Sequence, residues 1–170
     1  MSDQSTKLFY PAPNGLPVPV RPPRGSGSTL VVLREAAPNP LVAAGALWLH
    51  GFIDEAHKIA QDIDSREGSY WHALVHRSEG DFDNSKYWFG RVGSHPIFVA
   101  LRTQVDALAG ESGPTPITQD LPPAFWDPLL FVDLCAQAHT GAFGDTALLA
   151  RVAALEYNLL MAHILGKKNG

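Results

Sequence analysis

The sequence has little cysteine and little charge, and each scarcity excludes a class of protein. Cys135 is the only cysteine among the 170 residues, which excludes an internal disulfide framework and a zinc site built from several thiolates. Charged residues make up 18% of the chain and hydrophobic residues 45%, a balance typical of a globular domain rather than a self-repelling disordered chain. The formal net charge of −4 disfavours a protein whose main task is binding nucleic-acid phosphates.

Signals for export or membrane insertion are also scarce. The N-terminal residues contain no apolar run of signal-peptide length and are interrupted by prolines. The longest apolar segment, 144–165, carries Arg151, Glu156 and His163, and charged groups at bilayer depth are costly. We therefore expect a long buried helix over 144–165, no membrane span, and a cytoplasmic protein.

The alternation of apolar and polar residues that marks β-strands is not sustained, and TLVVL at 29–33 is the single strand-like run. Residues 1–29 are rich in proline, glycine and serine, which predicts an extended arm ahead of a helical domain over 30–170. The segment 110–123 has the composition of a loop, and too few residues follow it for a second domain.

Apolar residues at helical spacing fill most of the remaining chain, with proline and glycine near the ends of the apolar segments. This pattern predicts an all-α fold, a single domain of about seven antiparallel helices packed as hairpins. Asp83 is the expected N-cap of the fourth helix. The expected helices cover about 40–50, 53–63, 67–79, 84–92, 96–108, 126–139 and 145–165.

Part of the chain resembles a known helical hairpin. In residues 40–96, a glycine between two helices is followed five residues later by a small residue, as in Gly80 and Ser85. With Ala73 and Phe89, these residues resemble the tetratricopeptide hairpin, in which small residues let two helices approach closely. The resemblance implies two helical hairpins, although the interval between them, 29 residues, is shorter than the about 34 residues of that repeat.

Aromatic residues and histidines are concentrated in the segment 69–98, which is similar to a block of helical proteins without a characterised activity. On a helix, His72, His76 and Glu79 project to the same side, because they stand at positions i, i+4 and i+7. Two imidazoles one turn apart can chelate a divalent metal, and a carboxylate can complete the site. The candidate metal ligands are His72, His76, Glu79, Asp81 and His95.

The common helical metal signatures, such as HExxH, are absent, so two other interpretations stay open. The histidines can be structural, bonded to carbonyls or carboxylates beside an aromatic core. Alternatively, aromatic rings and arginines can form a pocket for a planar or anionic small ligand. The candidate ligand-binding residues are Trp71, His72, His76, Arg77, Tyr87, Trp88 and Arg91.

The competing interpretation of these aromatic residues is core packing, with Arg77 in a surface ion pair with Glu79 or Asp81. Acidic residues offset the basic ones in this block, so no nucleic-acid partner is expected.

Two further pairs of residues share helix faces. Cys135 and His139 stand four apart in an apolar run, where a buried and inert thiol is expected rather than a nucleophile. Glu156 and His163 stand seven apart on the last helix and share a face. They are expected either to be polar groups at a helix–helix seam or to form part of a pocket.

These observations favour a non-enzymatic helical binding or interaction module that uses the block 70–95. Its expected partner is another protein or a second copy of the chain, because the apolar final helix offers more apolar face than a small bundle covers. No cofactor is predicted on this interpretation. The alternative is a metal-dependent or small-ligand-binding enzyme with its site at His72, His76 and Glu79, which requires a divalent metal or a small ligand.

Overall fold

The computed structural model describes residues 25–109 and 115–166, which form eight α-helices and no β-strand. The expected all-α, single-domain fold is confirmed, whereas residues 1–24, most of the predicted arm, lie outside the described residues. The helices are α1 (Gly27–Ala36), α2 (Pro40–Leu49), α3 (Ile53–Gln61), α4 (Arg66–Glu79), α5 (Phe82–Val92), α6 (Ile97–Ala109), α7 (Pro128–His139) and α8 (Thr146–Gly166).

The first helix corrects two expectations from the sequence. The strand-like run at 29–33 lies inside α1, and α1 begins at Gly27, within the predicted arm. Ser26 caps the helix by accepting a hydrogen bond from the Thr29 amide at 3.3 Å, and Leu33 is fully buried. The helix propensity of valine is only a few tenths of a kcal/mol less favourable than that of better helix formers. One N-cap and one buried leucine therefore stabilise the helix by more than its valines destabilise it.

Other helix ends follow the local signals in the sequence. Asn39 caps α2 by accepting from the Val42 amide at 3.0 Å, and proline occupies the first turn as expected. Gly51 and Gly80, which end α2 and α4, have positive φ angles of 74° and 81°. The tetratricopeptide resemblance of the two hairpins that they form stays a prediction.

The predicted cap of α5 is wrong by two residues. Asp81, not Asp83, occupies the N-cap and accepts a hydrogen bond from the Asn84 amide at 3.3 Å. Both aspartates are sterically able to cap a helix. The helix begins at Phe82 because Gly80 ends α4 directly before it, leaving a short connection between the two helices.

Helix α4 is the centre of the fold. It packs against α2, α3 and α5 and is linked by side chains to α8. All residues from 67 to 78 are buried. In the sequence, Trp71, Leu74 and Val75 form an apolar stripe, which predicts that the opposite side of the helix faces solvent, but the structure has no such side over these residues. The polar side chains on α4 therefore face other helices, where each needs a partner.

By length and composition alone, α8 is apolar enough to cross a membrane, and half of its most apolar window is buried inside the structure. It packs against α2, α6 and α7. In the described part of α8, Thr146–Gly166, no large hydrophobic side chain is exposed. Leu148, Leu155, Leu159 and Leu165 are only partly buried, so the homodimer expected from an uncovered apolar face stays a prediction.

A buried ion pair joins α4 to α8. The Arg77 guanidinium and the Glu156 carboxylate lie 2.5 Å apart at Nη2 and Oε2, and both side chains are almost completely buried. The Tyr70 hydroxyl donates to the other carboxylate oxygen at 2.9 Å, and the Phe131 ring lies 4.8 Å from the guanidinium carbon. The expected surface pair of Arg77 with Glu79 or Asp81 is wrong, because Arg77 points into the core.

The charges of this pair stabilise each other. Burial disfavours a charged guanidinium, but the Glu156 carboxylate outweighs burial and the pKa of Arg77 is raised. Burial, and then the negative charge of Glu156, raise the pKa of the Tyr70 hydroxyl, so Tyr70 remains a neutral donor. Glu156 therefore accepts hydrogen bonds at a helix–helix seam, which confirms one of its two sequence interpretations.

We expect Glu156→Gln to lower the free energy of unfolding by about 3–5 kcal/mol, because it leaves the Arg77 charge buried without its counter-ion. The double variant Arg77→Met/Glu156→Leu removes both charges. It should lower the free energy of unfolding by far less than the sum of the losses caused by Arg77→Met alone and Glu156→Leu alone. Urea unfolding followed by circular dichroism measures both. Additive losses in the double variant would contradict a coupled buried pair.

Helix α2 approaches α4 closely at one glycine. A Cβ atom on Gly45 would lie 2.5 Å from Cζ2 of Trp71 and 2.7 Å from Cε of Met161. Because Trp71 is buried in the core, its ring has little freedom to move away.

Gly45→Ala should therefore destabilise the protein by about 1–3 kcal/mol through overpacking. The matched control is Gly90→Ala in the last turn of α5, where an added Cβ meets no atom within 4 Å. That control should be neutral or stabilising by up to about 1 kcal/mol, because alanine has the higher helix propensity. Thermal unfolding midpoints of the two variants give the comparison, and equal losses would contradict the close approach.

Candidate functional site

Three histidines meet where α3 packs on α4. His72 and His76 lie one turn apart on α4, and His57 comes from α3. The two helices are consecutive in the chain and pack against each other, and the segment 62–65 connects them. His57 lies five residues before this segment and His72 lies seven residues after it.

The three imidazoles are in direct contact. The Nε2 atoms of His57 and His72 lie 2.7 Å apart, and the ring centroids of the three pairs lie 4.6 to 4.8 Å apart. One ligand nitrogen from each histidine lies within 4.8 Å of the other two. We name this group, His57, His72 and His76, the three-histidine cluster.

Two carboxylates face the outer ring nitrogens of the cluster. Glu79 places Oε1 3.9 Å from Nδ1 of His57 and Oε2 3.4 Å from Nδ1 of His76. Asp81 places Oδ2 3.6 Å from the same His76 atom. Since a carboxylate favours a proton on the nitrogen that faces it, Glu79 and Asp81 favour the tautomer with Nδ1–H, which leaves the lone pair on Nε2. Nδ2 of Asn84 also lies 3.5 Å from Nδ1 of His76. Glu79, predicted as a metal ligand, thus lies where it orients two ligands.

The buried imidazoles are neutral at pH 7. Burial, and then the adjacent rings of His57 and His76, lower the pKa of His72 to about 4. Burial and His57 also lower the pKa of His76, although Glu79 and Asp81 act against them. A neutral imidazole is the form that binds a metal ion. Nδ1 of His72 is buried without a hydrogen-bond partner among the described residues, so this ring is free to change tautomer.

The cluster is open to solvent on one side. His57 and Glu79 each expose 29% of their side chains, whereas His72 and His76 are buried. The Trp88 ring stacks on His72 at a centroid distance of 3.9 Å, and the Arg91 guanidinium lies 5.3 Å from the Trp88 ring. An ion can enter this site from the side of His57 and Glu79, while His72 and His76 remain shielded from solvent.

The remaining predicted site residues do not form one pocket. Trp71 is buried beside Gly45 and Tyr157, and Arg77 is buried against Glu156, as core packing predicts. Tyr87 and Arg91 are exposed on α5. The predicted ligand-binding set is therefore divided. Trp71 and Arg77 lie in the core, whereas ring and cation–π contacts link the other five residues of the set, His72, His76, Tyr87, Trp88 and Arg91.

His95 belongs to a second cluster instead of joining His72 and His76. Its Nε2 lies 3.7 Å from Oε1 of Glu67, and Nε2 of His163 lies 3.3 Å from the same oxygen. However, Nδ1 of His95 accepts a hydrogen bond from the Ile97 amide at 3.3 Å, so a neutral His95 carries its proton on Nε2, towards Glu67. This protonation is opposite to the one that a metal ligand at Nε2 requires.

Three members of the two clusters, His57, Glu67 and His163, were not among the residues selected from the sequence. His163 was noted only as a neighbour of Glu156 on one helix face. His57 had a weak signal, since it lies five residues before the connection at 62–65 and His72 seven residues after it, both within about two turns of where the helices meet. Glu67 and His163 come from α4 and α8, and no spacing in the sequence relates them.

Cys135 behaves as expected for a structural cysteine. It is buried, and burial raises the pKa of its thiol to about 11. His139 is exposed, and its ring contacts Phe82 at a centroid distance of 5.9 Å. The thiol is therefore protonated at neutral pH and is a poor nucleophile.

No family model matches the sequence, and comparisons with curated proteins and with solved structures give no significant match. The functional argument therefore depends on the geometry of this chain alone.

The lowered pKa of His72 makes folding depend on pH. The unfolded chain binds a proton at His72 near pH 6.5, and the folded protein does not until about pH 4, so acidification favours unfolding. In the presence of a chelator, lowering the pH from 7 to 5 should cost wild type about 1–2 kcal/mol more than it costs His72→Gln. Urea unfolding at the two pH values measures this difference, and the same pH dependence in both proteins would contradict it.

Proposed function

We propose that this protein binds a divalent transition-metal ion, preferentially Zn²⁺, through the imidazoles of the three-histidine cluster. The observation that carries the proposal is the convergence of one nitrogen each from His57, His72 and His76 within 4.8 Å. The packing of these imidazoles opposes their protonation and so keeps His72 and His76 in the neutral form that binds a metal ion.

The donor set supports the choice of ion. Imidazole nitrogen suits Zn²⁺ and its neighbours in the first transition row, whereas Mg²⁺ and Ca²⁺ prefer oxygen. Glu79 faces the Nδ1 atoms of both His57 and His76, an arrangement that fixes ring orientation and raises the basicity of a metal-bound imidazole. The negative charges of Glu79 and Asp81 also offset part of the charge of a divalent ion.

Three protein ligands leave a fourth position for water or an anion. In such sites the ion acts as a Lewis acid and lowers the pKa of bound water to about 7. The exposed side chains of His57 and Glu79 lie on the side from which that position is reached. The predicted alternative, a metal-dependent site at His72, His76 and Glu79, thus continues as our proposal with His57 added and Glu79 in a positioning role.

The interaction-module interpretation, with a protein partner or a second copy in the cytoplasm, stays a prediction. Within the described block 70–95, Tyr87 is the only large hydrophobic side chain that is mostly exposed. The block therefore offers little apolar surface to a partner. Sedimentation at micromolar concentration tests the homodimer directly.

The metal proposal is tested with protein purified without a histidine tag and stripped with a chelator. We expect isothermal titration with Zn²⁺ to give one tight site per chain. His57→Ala, His72→Ala and His76→Ala should each weaken it at least about 100-fold, and Glu79→Gln by about 10- to 100-fold. Each variant is first checked for folding by circular dichroism, so that loss of binding is not confused with unfolding.

The matched control is His163→Ala, which removes an imidazole from the other cluster and should leave the affinity within about twofold of wild type. Wild-type affinity in a folded His72→Ala/His76→Ala double variant would contradict the proposal. Loss of binding in His163→Ala would contradict the assignment to the three-histidine cluster.

A further inference from the structure

The three imidazoles of the three-histidine cluster are not held in the same way. Glu79 faces Nδ1 of His57 at 3.9 Å and Nδ1 of His76 at 3.4 Å, and so orients both rings. His72 has no such support, because its Nδ1 is buried without a hydrogen-bond partner among the described residues. The second nitrogen of a metal-binding histidine is almost always hydrogen-bonded. For His72 to present Nε2 to an ion, another contact must therefore fix the plane of its ring.

That contact is a stack of rings. The Trp88 ring of α5 lies 3.9 Å from the His72 ring, centroid to centroid, and the two planes are 24° apart. The His76 ring lies 4.8 Å from the His72 ring, with the planes 17° apart. Rotation of the His72 imidazole about its Cβ–Cγ bond would drive the edge of the ring into these nearly parallel neighbours. The stack thus restrains the rotation that a hydrogen bond at Nδ1 would otherwise restrain.

Trp88 is itself held in place. It is half-buried and packs against the hydrophobic core. The Arg91 guanidinium carbon, one turn later on α5, lies 5.3 Å from the centroid of the Trp88 ring, and the Tyr87 ring meets the same ring at 5.5 Å and an angle of 82°. Helix α5 packs along α4, which carries His72. The indole ring is therefore a fixed surface against which His72 rests.

The indole ring also favours the metal-bound form of His72. A metal ion withdraws electron density from the imidazole that binds it, which makes that ring more positive. The face of an indole ring is negative and attracts positive charge more strongly than the faces of tyrosine and phenylalanine. The contact between Trp88 and His72 is therefore stronger with the ion bound than without it.

We propose that Trp88 is a positioning residue of the metal site, whose indole ring holds the His72 imidazole in the plane that presents Nε2 to the ion. This role rests on the metal binding proposed above. Trp88 supplies no ligand atom, because its indole nitrogen is only a hydrogen-bond donor. It acts on the ion through His72 alone.

The test measures Zn²⁺ affinity by isothermal titration of full-length protein, purified without a histidine tag and stripped with a chelator. Trp88→Leu keeps an apolar side chain but removes the ring, and we expect it to weaken binding at least about tenfold. Trp88→Phe restores a ring at the same position. It should bring the affinity back to within about threefold of wild type, because it restores the stack with a less negative ring face.

The matched control is Phe89→Leu, at the next residue of α5. The Phe89 ring is buried against Tyr70 at a centroid distance of 5.2 Å, away from the stack on His72. Because this change truncates a core ring, it should lower the thermal unfolding midpoint at least as much as Trp88→Leu does. It should nevertheless leave the Zn²⁺ affinity within about twofold of wild type, which separates positioning of His72 from general stability.

A second measurement needs no metal. In NMR spectra of the metal-free protein, the ring current of Trp88 should displace the ring-proton signals of His72, and this displacement should disappear in Trp88→Leu but persist in Phe89→Leu. Unchanged His72 signals in Trp88→Leu would overturn the role of Trp88. Wild-type Zn²⁺ affinity in folded Trp88→Leu would do the same, as would equal losses of affinity in Trp88→Leu and Phe89→Leu. Absence of Zn²⁺ binding by wild type would instead overturn the metal proposal itself, and this role with it.

Discussion

The buried ion pair between Arg77 and Glu156 constrains the rest of the structure. A guanidinium and a carboxylate that are both removed from water must remain together, since separating them would leave each charge uncompensated at a cost of several kcal/mol. Tyr70 lies two turns before Arg77 on the same face of α4 and donates to the same carboxylate. Together these contacts fix the rotation of α4 about its axis relative to α8.

With that rotation fixed, the other faces of α4 have defined neighbours. His72 and His76 lie on a different face from Tyr70 and Arg77, and that face packs against α3, which supplies His57. Polar side chains on a helix buried along its length have no access to bulk water and must find partners on neighbouring helices. The three-histidine cluster on one face of α4 and the ion pair on another both follow from the central position of this helix.

Sequence reasoning succeeded where the physics is local and failed where it is not. Seven of the helices were expected because the apolar spacing and the caps lie within the elements themselves, as with Asn39 before α2. Helix α1 was not predicted, because its valines indicate a strand. The N-cap at Ser26 and the burial of Leu33 stabilise a helix there instead. His72 and His76 were correctly placed on one face because residues four apart on a helix always are.

The sequence alone determined the all-α class, most helix boundaries and the pairing of His72 with His76, because helical periodicity and capping act over a few residues. Only the tertiary structure decided which side chains join them. It brought His57 to the cluster, placed Glu79 against the outer nitrogens, assigned His95 to Glu67 and His163, and turned Arg77 into the core. These outcomes depend on how the helices pack against one another. Desolvation and the geometry of the partner side chains determine those contacts, and no local spacing encodes either of them.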